Sequence, residues 1–247
     1  MRQRLLNNEI ILAGWLQLPS PDVAEIIARS PVDVVVVDQE HGAIGRREMA
    51  DLVRVIDGCG KFPIVRLMHQ DVSLARQALD AGCLGLIIPH VDSTESFLEF
   101  VFECTLPPLG NRSIGYFRAN GYGSEFDSHL VDASRPLLVP MIESQRGVSI
   151  VNEIVALVEP EVVLIGPYDL SASLGTPGDF SSVSYVDAFQ SVLKACRGSH
   201  TKAGIHDVSG ERSSIDAQIS LGFSFIGCAT DSLILAKGIR SAIVDGN

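Results

Sequence analysis

Leu137-Leu138-Val139-Pro140-Met141-Ile142-Glu143 and Val162-Val163-Leu164-Ile165-Gly166-Pro167-Tyr168-Asp169 are short apolar runs that each end on a carboxylate. A run of this length, apolar at almost every position, has the pattern of a strand covered on both faces. Parallel sheets are built of such strands, and their chemistry gathers at the strands' carboxyl ends. Outward from these two runs, short apolar stretches alternate with longer amphipathic ones about eight times along the chain. Strands are predicted at 10–15, 33–37, 63–67, 85–89, 137–142, 162–166, 203–206 and 223–227. Helix starts are signalled between them, by Ser20-Pro21-Asp22 and by Asp71 ahead of Leu74.

Eight βα units in 247 residues fit a closed (β/α)8 TIM barrel, an α/β fold, with 1–247 read as one domain. A doubly wound open sheet would show fewer strands and a Gly-rich fingerprint after the first; the chain has neither GxGxxG nor a Walker sequence. Residues 107–136 form the one long irregular stretch, with Pro107-Pro108-Leu109-Gly110, Arg112, Arg118, Tyr116, Phe117 and Tyr122. Because this stretch follows strand four and precedes strand five, it is expected at the barrel mouth as a lid or partner surface. A surface insertion without a role is the other reading.

A content of 46% hydrophobic residues is enough for a large core. Thirty acidic against 19 basic residues, a net charge of −11, argue against a nucleic-acid partner, which needs a basic surface. The same charge leaves room for a bound cation. Cys59, Cys83, Cys104, Cys196 and Cys228 are scattered singly, without a CxxC pair, and read as buried thiols of a reducing compartment. With no signal-peptide core and no membrane-length apolar run, a cytoplasmic protein without a membrane partner is expected.

The chemistry-bearing residues cluster at predicted strand ends. Val34-Val35-Val36-Val37 runs into Asp38-Gln39-Glu40-His41-Gly42. Asp38 and His41 are spaced so that a carboxylate can orient an imidazole, as a general base requires, although a solvated strand-end turn would look the same. Glu40 reads as a further metal-site acid or as the partner of an arginine. Arg66 ends the third run; its cation needs an anion, either substrate or a salt bridge to Glu40 or Glu143. Trp15, the single tryptophan, reads alone as a packing residue.

Glu143 and Asp169 are too few for a closed cage. With waters, they suit a hard divalent cation that leaves positions for a chelating 2-keto acid, while capping of helix starts is the plain alternative. His90 and His206 have mouth positions; His69, His129 and His200 do not. No HxH or HExxH spacing points to zinc.

Taken in order, these motifs resemble the class II 2-keto-3-deoxy sugar-acid aldolases of the HpcH/HpaI family. The matching pieces are Gly14-Trp15, Asp38-x-Glu40-His41, Pro63-x-Val65-Arg66, Arg112-Ser113-x-Gly115, Ile142-Glu143-Ser144 and Ile165-Gly166-Pro167-x-Asp169-Leu170-Ser171. The resemblance spans nearly the whole chain. It implies a hexamer, a trimer of dimers, in which the last helix is exchanged between neighbours, compatible with the apolar tail from Leu233 to Val244. It implies Mg²⁺, Mn²⁺ or Co²⁺ on Glu143 and Asp169, with Arg66 stabilising an enolate and His41, oriented by Asp38, as acid/base. Trp15, Gly166, Tyr168 and Met141 would line the substrate site.

The expected reaction is reversible cleavage of a 4-hydroxy-2-oxo acid to pyruvate, or a related 2-keto acid, and an aldehyde. Oxaloacetate decarboxylation, CoA-thioester cleavage and a non-catalytic keto-acid binding barrel are the alternatives. Lys61, Lys194, Lys202 and Lys237 lie away from the expected catalytic strand ends, against a Schiff-base mechanism. Met141, Tyr168 and His90 depart from the family pattern, and through them the substrate remains open.

Overall fold

The computed structural model describes residues 1–132, 136–209 and 211–244. The chain opens with a short helix α1 (Arg2–Leu6). It continues through β1 (Ile11–Leu16), α2 (Pro21–Ala28), β2 (Val34–Asp38), α3 (Arg46–Gly58), β3 (Phe62–Arg66), α4 (Val72–Ala81), β4 (Gly85–Ile88) and α5 (Thr94–Cys104). A 3₁₀ turn (Arg118–Gly123) and α6 (Phe126–Asp132) precede β5 (Leu137–Ile142), α7 (Gln145–Val158), β6 (Val162–Ile165), α8 (Pro167–Ser173) and α9 (Val183–Arg197). β7 (Lys202–His206), α10 (Arg212–Leu221), β8 (Phe225–Thr230) and α11 (Asp231–Val244) complete it. The eight strands pair in parallel, each with its sequence neighbour, and β8 closes on β1, giving a (β/α)8 barrel.

The strands are apolar throughout because both faces are covered. Alternate residues point to opposite sides. Ala13, Trp15, Val34, Val36, Ile64, Ile87, Val139, Met141, Leu164 and Phe225 fill the barrel. Leu16, Val35, Val37, Val65, Leu86, Ile88, Leu138, Ile142, Val163 and Ile165 face outward and meet the helices. On α3 the buried residues Met49, Leu52, Val53 and Ile56 form one helical stripe. Helix starts lie where side chains can satisfy them: Ser20, Asp71 and Ser144 accept the N–H groups of Val23, Leu74 and Gly147.

The predicted strands fall within one residue of the observed ones except the last, which starts at Phe225 and runs on to Thr230. Its second half, Gly227-Cys228-Ala229, is too small-chained to read as a strand from sequence. It pairs with β1 across an irregularity at Ala13/Gly14. No helix among the described residues is long and apolar enough to cross a membrane.

The stretch 107–136, of which 133–135 lie outside the described residues, is not at the mouth. Helix α5 comes between it and β4, so the stretch begins at the opposite, amino-terminal end of the barrel. Arg112 Nη2 donates to Asp80 at 2.6 Å, and Arg118 Nη1 to the Ala81 carbonyl at 3.1 Å, both at the carboxyl end of α4. A second guanidinium nitrogen of Arg118 bonds Asp57 at the end of α3. A connection from helix to strand must lie at that end, and residues 94–104 form a helix that the sequence reading passed over.

Candidate active site

At the carboxyl ends of β2 and β3 the register puts Asp38 opposite Arg66. Both side chains are buried. Asp38 Oδ1 accepts from Arg66 Nε at 2.8 Å and Oδ2 from Nη2 at 2.6 Å, a fork-to-fork pair. Oδ2 also accepts from Trp15 Nε1 (3.2 Å) and Gln17 Nε2 (3.0 Å), and Oδ1 from the backbone N–H groups of Glu40 (3.0 Å) and His41 (3.2 Å). Burial alone would raise the carboxyl's pKa, but the Arg66 hydrogen bonds and charge, with those of Gln17 and the His41 N–H, hold it below the usual range.

The turn after β2 therefore wraps around the Asp38 carboxylate. Gly42 closes it: a Cβ there would lie 2.2 Å from the Asp38 carbonyl oxygen and 2.8 Å from that of Gln17. The contact of Asp38 with His41 runs through the backbone N–H, not the imidazole, so the expected orientation of the ring by Asp38 is replaced by a grip on Arg66. The physical reason is the register pairing, which brings a buried guanidinium to this carboxylate first. His41 itself is exposed and lines the mouth cleft.

Beneath Arg66 lies Trp15, fully buried, with the guanidinium 5.2 Å from its ring centroid. The His206 ring stacks on the same indole at 3.9 Å and 15°. Trp15 is thus a support for Arg66 and His206 and not a wall of the cleft, which corrects its expected substrate contact. Burial, then the Arg66 charge, push the pKa of His206 down to about 3, so the ring is neutral; its Nε2 lies 3.3 Å from Thr230 Oγ1.

Glu143, one residue past β5, is buried and accepts the His90 backbone N–H through Oε1 at 2.7 Å. His90 Nδ1 lies 3.2 Å from the same oxygen, and His90 Nε2 lies 3.4 Å from Glu40 Oε1. Burial raises the Glu143 pKa to about 7; the His90 N–H and ring oppose the shift, while Glu40 and Asp169 add to it.

Glu40 has a second tie, Oε2 to Arg66 Nη1 at 3.1 Å, yet this buried oxygen accepts no hydrogen bond. Among the described residues, Glu40, His90 and Glu143 can each bring one ligand atom within 4.8 Å of the others. Two carboxylates and an imidazole whose ligand atoms approach this closely suit a divalent cation.

Asp169 stands exposed in the first turn of α8, where Gly166 and not Asp169 is the cap. It lies outside the close trio, though near enough that its charge is felt at Glu143. A cleft of about 390 Å³ opens here, lined by His41, Arg66, Met141, Gly166, Tyr168 and Asp169 among others. Gly166 leaves room for the site: a Cβ there would lie 2.8 Å from both Glu143 Oε2 and Met141 Cε. Clefts of about 420 and 500 Å³ adjoin the mouth cleft through Val208, and two larger ones, of about 670 and 870 Å³, lie at the amino-terminal face, away from the strand-end carboxylates.

Trp15, Asp38, His41, Arg66, Met141, Glu143, Gly166, Tyr168 and Asp169 thus lie at or directly beneath one mouth. Gln17 was missed; nothing in Leu16-Gln17-Leu18 distinguishes it until the Asp38 contact is seen. His90, a mouth histidine that departs from the family pattern, is not legible as a partner of Glu40 and Glu143 until the fold brings them together.

Residues 12–236 match the family model for the HpcH/HpaI aldolase/citrate lyase family. The chain is 32% identical over 238 residues to the hydroxypyruvate/pyruvate aldolase of Rhizorhabdus wittichii, covering 95% of this chain and 93% of that one. To the 2-keto-3-deoxy-L-rhamnonate aldolase of Klebsiella pneumoniae it is 27% identical, with 96% and 89% covered. An HpcH/HpaI aldolase/citrate lyase family protein from Burkholderia cenocepacia superposes with a TM-score of 0.92 at 29% identity, over 99% of this chain and 97% of that one. With such matches along nearly its full length, and strand-end residues in the order this barrel carries them, the chain belongs to the HpcH/HpaI aldolase/citrate lyase family and is an aldolase.

Proposed function

We propose that this aldolase, as one barrel domain spanning 1–247, depends on a divalent cation, Mg²⁺, Mn²⁺ or Co²⁺. Its reaction is the reversible cleavage of a 4-hydroxy-2-oxo acid to pyruvate, or a close 2-keto acid, and an aldehyde. The observation that carries this reading is the juxtaposition at one mouth of a locked guanidinium, an exposed imidazole and acids on two adjacent strand ends. Glu143 and Asp169 would hold the cation, with Glu40 and His90 beside it. When bound, the cation supplies Lewis acidity at the keto oxygen.

The protein's own groups do the rest. Arg66 presents a fixed positive charge to the negative charge that develops at the keto oxygen as the carbon–carbon bond breaks. It needs no reorganisation because Asp38 already fixes its plane, and preorganised donors of this kind supply much of a barrier reduction. His41 takes the proton of the 4-hydroxyl during cleavage and returns it in the aldol direction. Gly166 keeps space open beside Glu143, Met141 packs beneath the keto acid, and Tyr168 flanks the aldehyde side. Trp15 acts through Arg66.

The test is pyruvate release from a panel of 4-hydroxy-2-oxo acids, before and after chelation. Activity should vanish with EDTA and return with Mg²⁺, Mn²⁺ or Co²⁺, and Glu143→Gln and Asp169→Asn should each lose it. A chelated protein that keeps full activity would sink the reading.

A further inference from the structure

His90 stands in a conformation that side chains rarely adopt. Its φ is +52°, the left-handed region, at a residue with a Cβ. Left-handed backbone at a non-glycine residue persists only where the surroundings hold it, and it collects at functional sites. The bend has two products here. It turns the His90 N–H onto Glu143 Oε1, and it sets the ring between two acids, Nδ1 at 3.2 Å from Glu143 and Nε2 at 3.4 Å from Glu40. A glycine would have given the first product without strain, so the side chain itself is what the strain retains.

An imidazole lodged between carboxylates of a cation site is suited to be a ligand. One ring nitrogen bonds the ion while the other donates to a carboxylate, which fixes the tautomer and the ring plane. Ligands on an ion with bonds of about 2.1 Å lie from about 3 Å apart when adjacent to about 4.2 Å when opposed, so Glu40, His90 and Glu143, whose ligand atoms lie within 4.8 Å of one another, can close on one ion by side-chain adjustment.

We propose that His90 is a nitrogen ligand to the divalent cation of this mouth, and that it biases the site toward Co²⁺ and similar borderline ions over Mg²⁺. The inference rests on the reading of the mouth as a cation site. Imidazole suits borderline transition metals, whereas Mg²⁺ is bound by oxygen and dehydrates reluctantly.

The experiment uses the full chain, loaded with Co²⁺ or Mg²⁺ and followed by calorimetric titration. The variant is His90→Asn, because asparagine tolerates the left-handed region and keeps the N–H to Glu143. Wild-type protein should bind Co²⁺ more tightly than Mg²⁺. His90→Asn should lose about tenfold or more in Co²⁺ affinity, in the range that metal-site partners carry, with Mg²⁺ affinity changed much less. Independently of any variant, the Co²⁺ form labelled with ¹⁵N-histidine should show a hyperfine-shifted exchangeable ring N–H signal.

Unchanged Co²⁺ affinity in the variant, equal weakening of both ions, or no shifted ring signal in the wild type overturns the assignment. If the wild type binds neither ion, the metal-dependent reading falls with it. If it binds both and the variant behaves as wild type, only the role of His90 falls.

Discussion

Arg66 is buried because Asp38 is, and neither side chain is tolerable there alone. Their hydrogen bonds of 2.6 and 2.8 Å are made between strand neighbours, so the pair is set by register before any loop is placed. Asp38→Asn removes the charge that offsets the guanidinium while keeping the shape. Breaking a buried pair on one side costs about 3–5 kcal/mol, and a loss of that order is expected in urea denaturation. A loss below about 1 kcal/mol, the scale of an exposed pair, would show that water reaches Arg66 freely. Gly166→Ala is expected to act differently. Its Cβ would collide with Glu143 Oε2 and Met141 Cε at 2.8 Å, so divalent-cation affinity should fall several-fold while thermal stability shifts little. Calorimetric titration beside a melting curve separates the two; equal metal affinity in the variant would show that Glu143 moves aside without consequence.

At the scale of elements, the barrel was legible because its strands are covered on both faces and so read as unbroken apolar runs. Val34–Asp38 and Leu137–Ile142 are the plainest cases, buried at every position. The strand ends were legible too, since a carboxylate or guanidinium after such a run has no packing role. What sequence did not show was which polar groups touch. Asp38-x-x-His41 suggested a carboxylate on an imidazole, but lateral pairing between strands sent that carboxylate to Arg66, and register is not readable from one strand alone. The placement of 107–136 failed for a similar reason: one unrecognised helix, Thr94–Cys104, moved the stretch from one end of the barrel to the other.

The last helix carries its own expectation. Ile234, Leu235, Ile239 and Ile243 on α11 are each at least half exposed, an apolar face that the single chain leaves uncovered. Exchange of this helix between neighbours in a trimer of dimers would bury it. Ile239→Asp should then shift sedimentation velocity toward smaller species with the barrel's circular dichroism retained. An unchanged sedimentation coefficient would place the subunit contacts elsewhere.

For the whole molecule, a net charge of −11 and a mouth crowded with acids make pH a global variable, yet one histidine contributes with the opposite habit. His206 stays neutral in the folded state, its pKa pushed from the ordinary 6.5 down to about 3 by burial and by Arg66. The unfolded chain takes up a proton at this residue below about pH 6.5, and the folded one does not until about pH 3. Its contribution to stability is therefore present above pH 6.5 and is lost progressively as pH falls through that window. Glu143, raised to about 7, titrates in an overlapping range with the opposite sign, so the wild-type curve alone mixes the two. His206→Phe isolates the term: phenylalanine can keep the stack on Trp15 but cannot take a proton. The difference in melting temperature between wild type and His206→Phe should move steadily in favour of the variant from pH 7 down to pH 4.5, by several degrees if most of the shift is realised. Parallel curves across that range would mean that the ring is protonated or solvated in the folded protein.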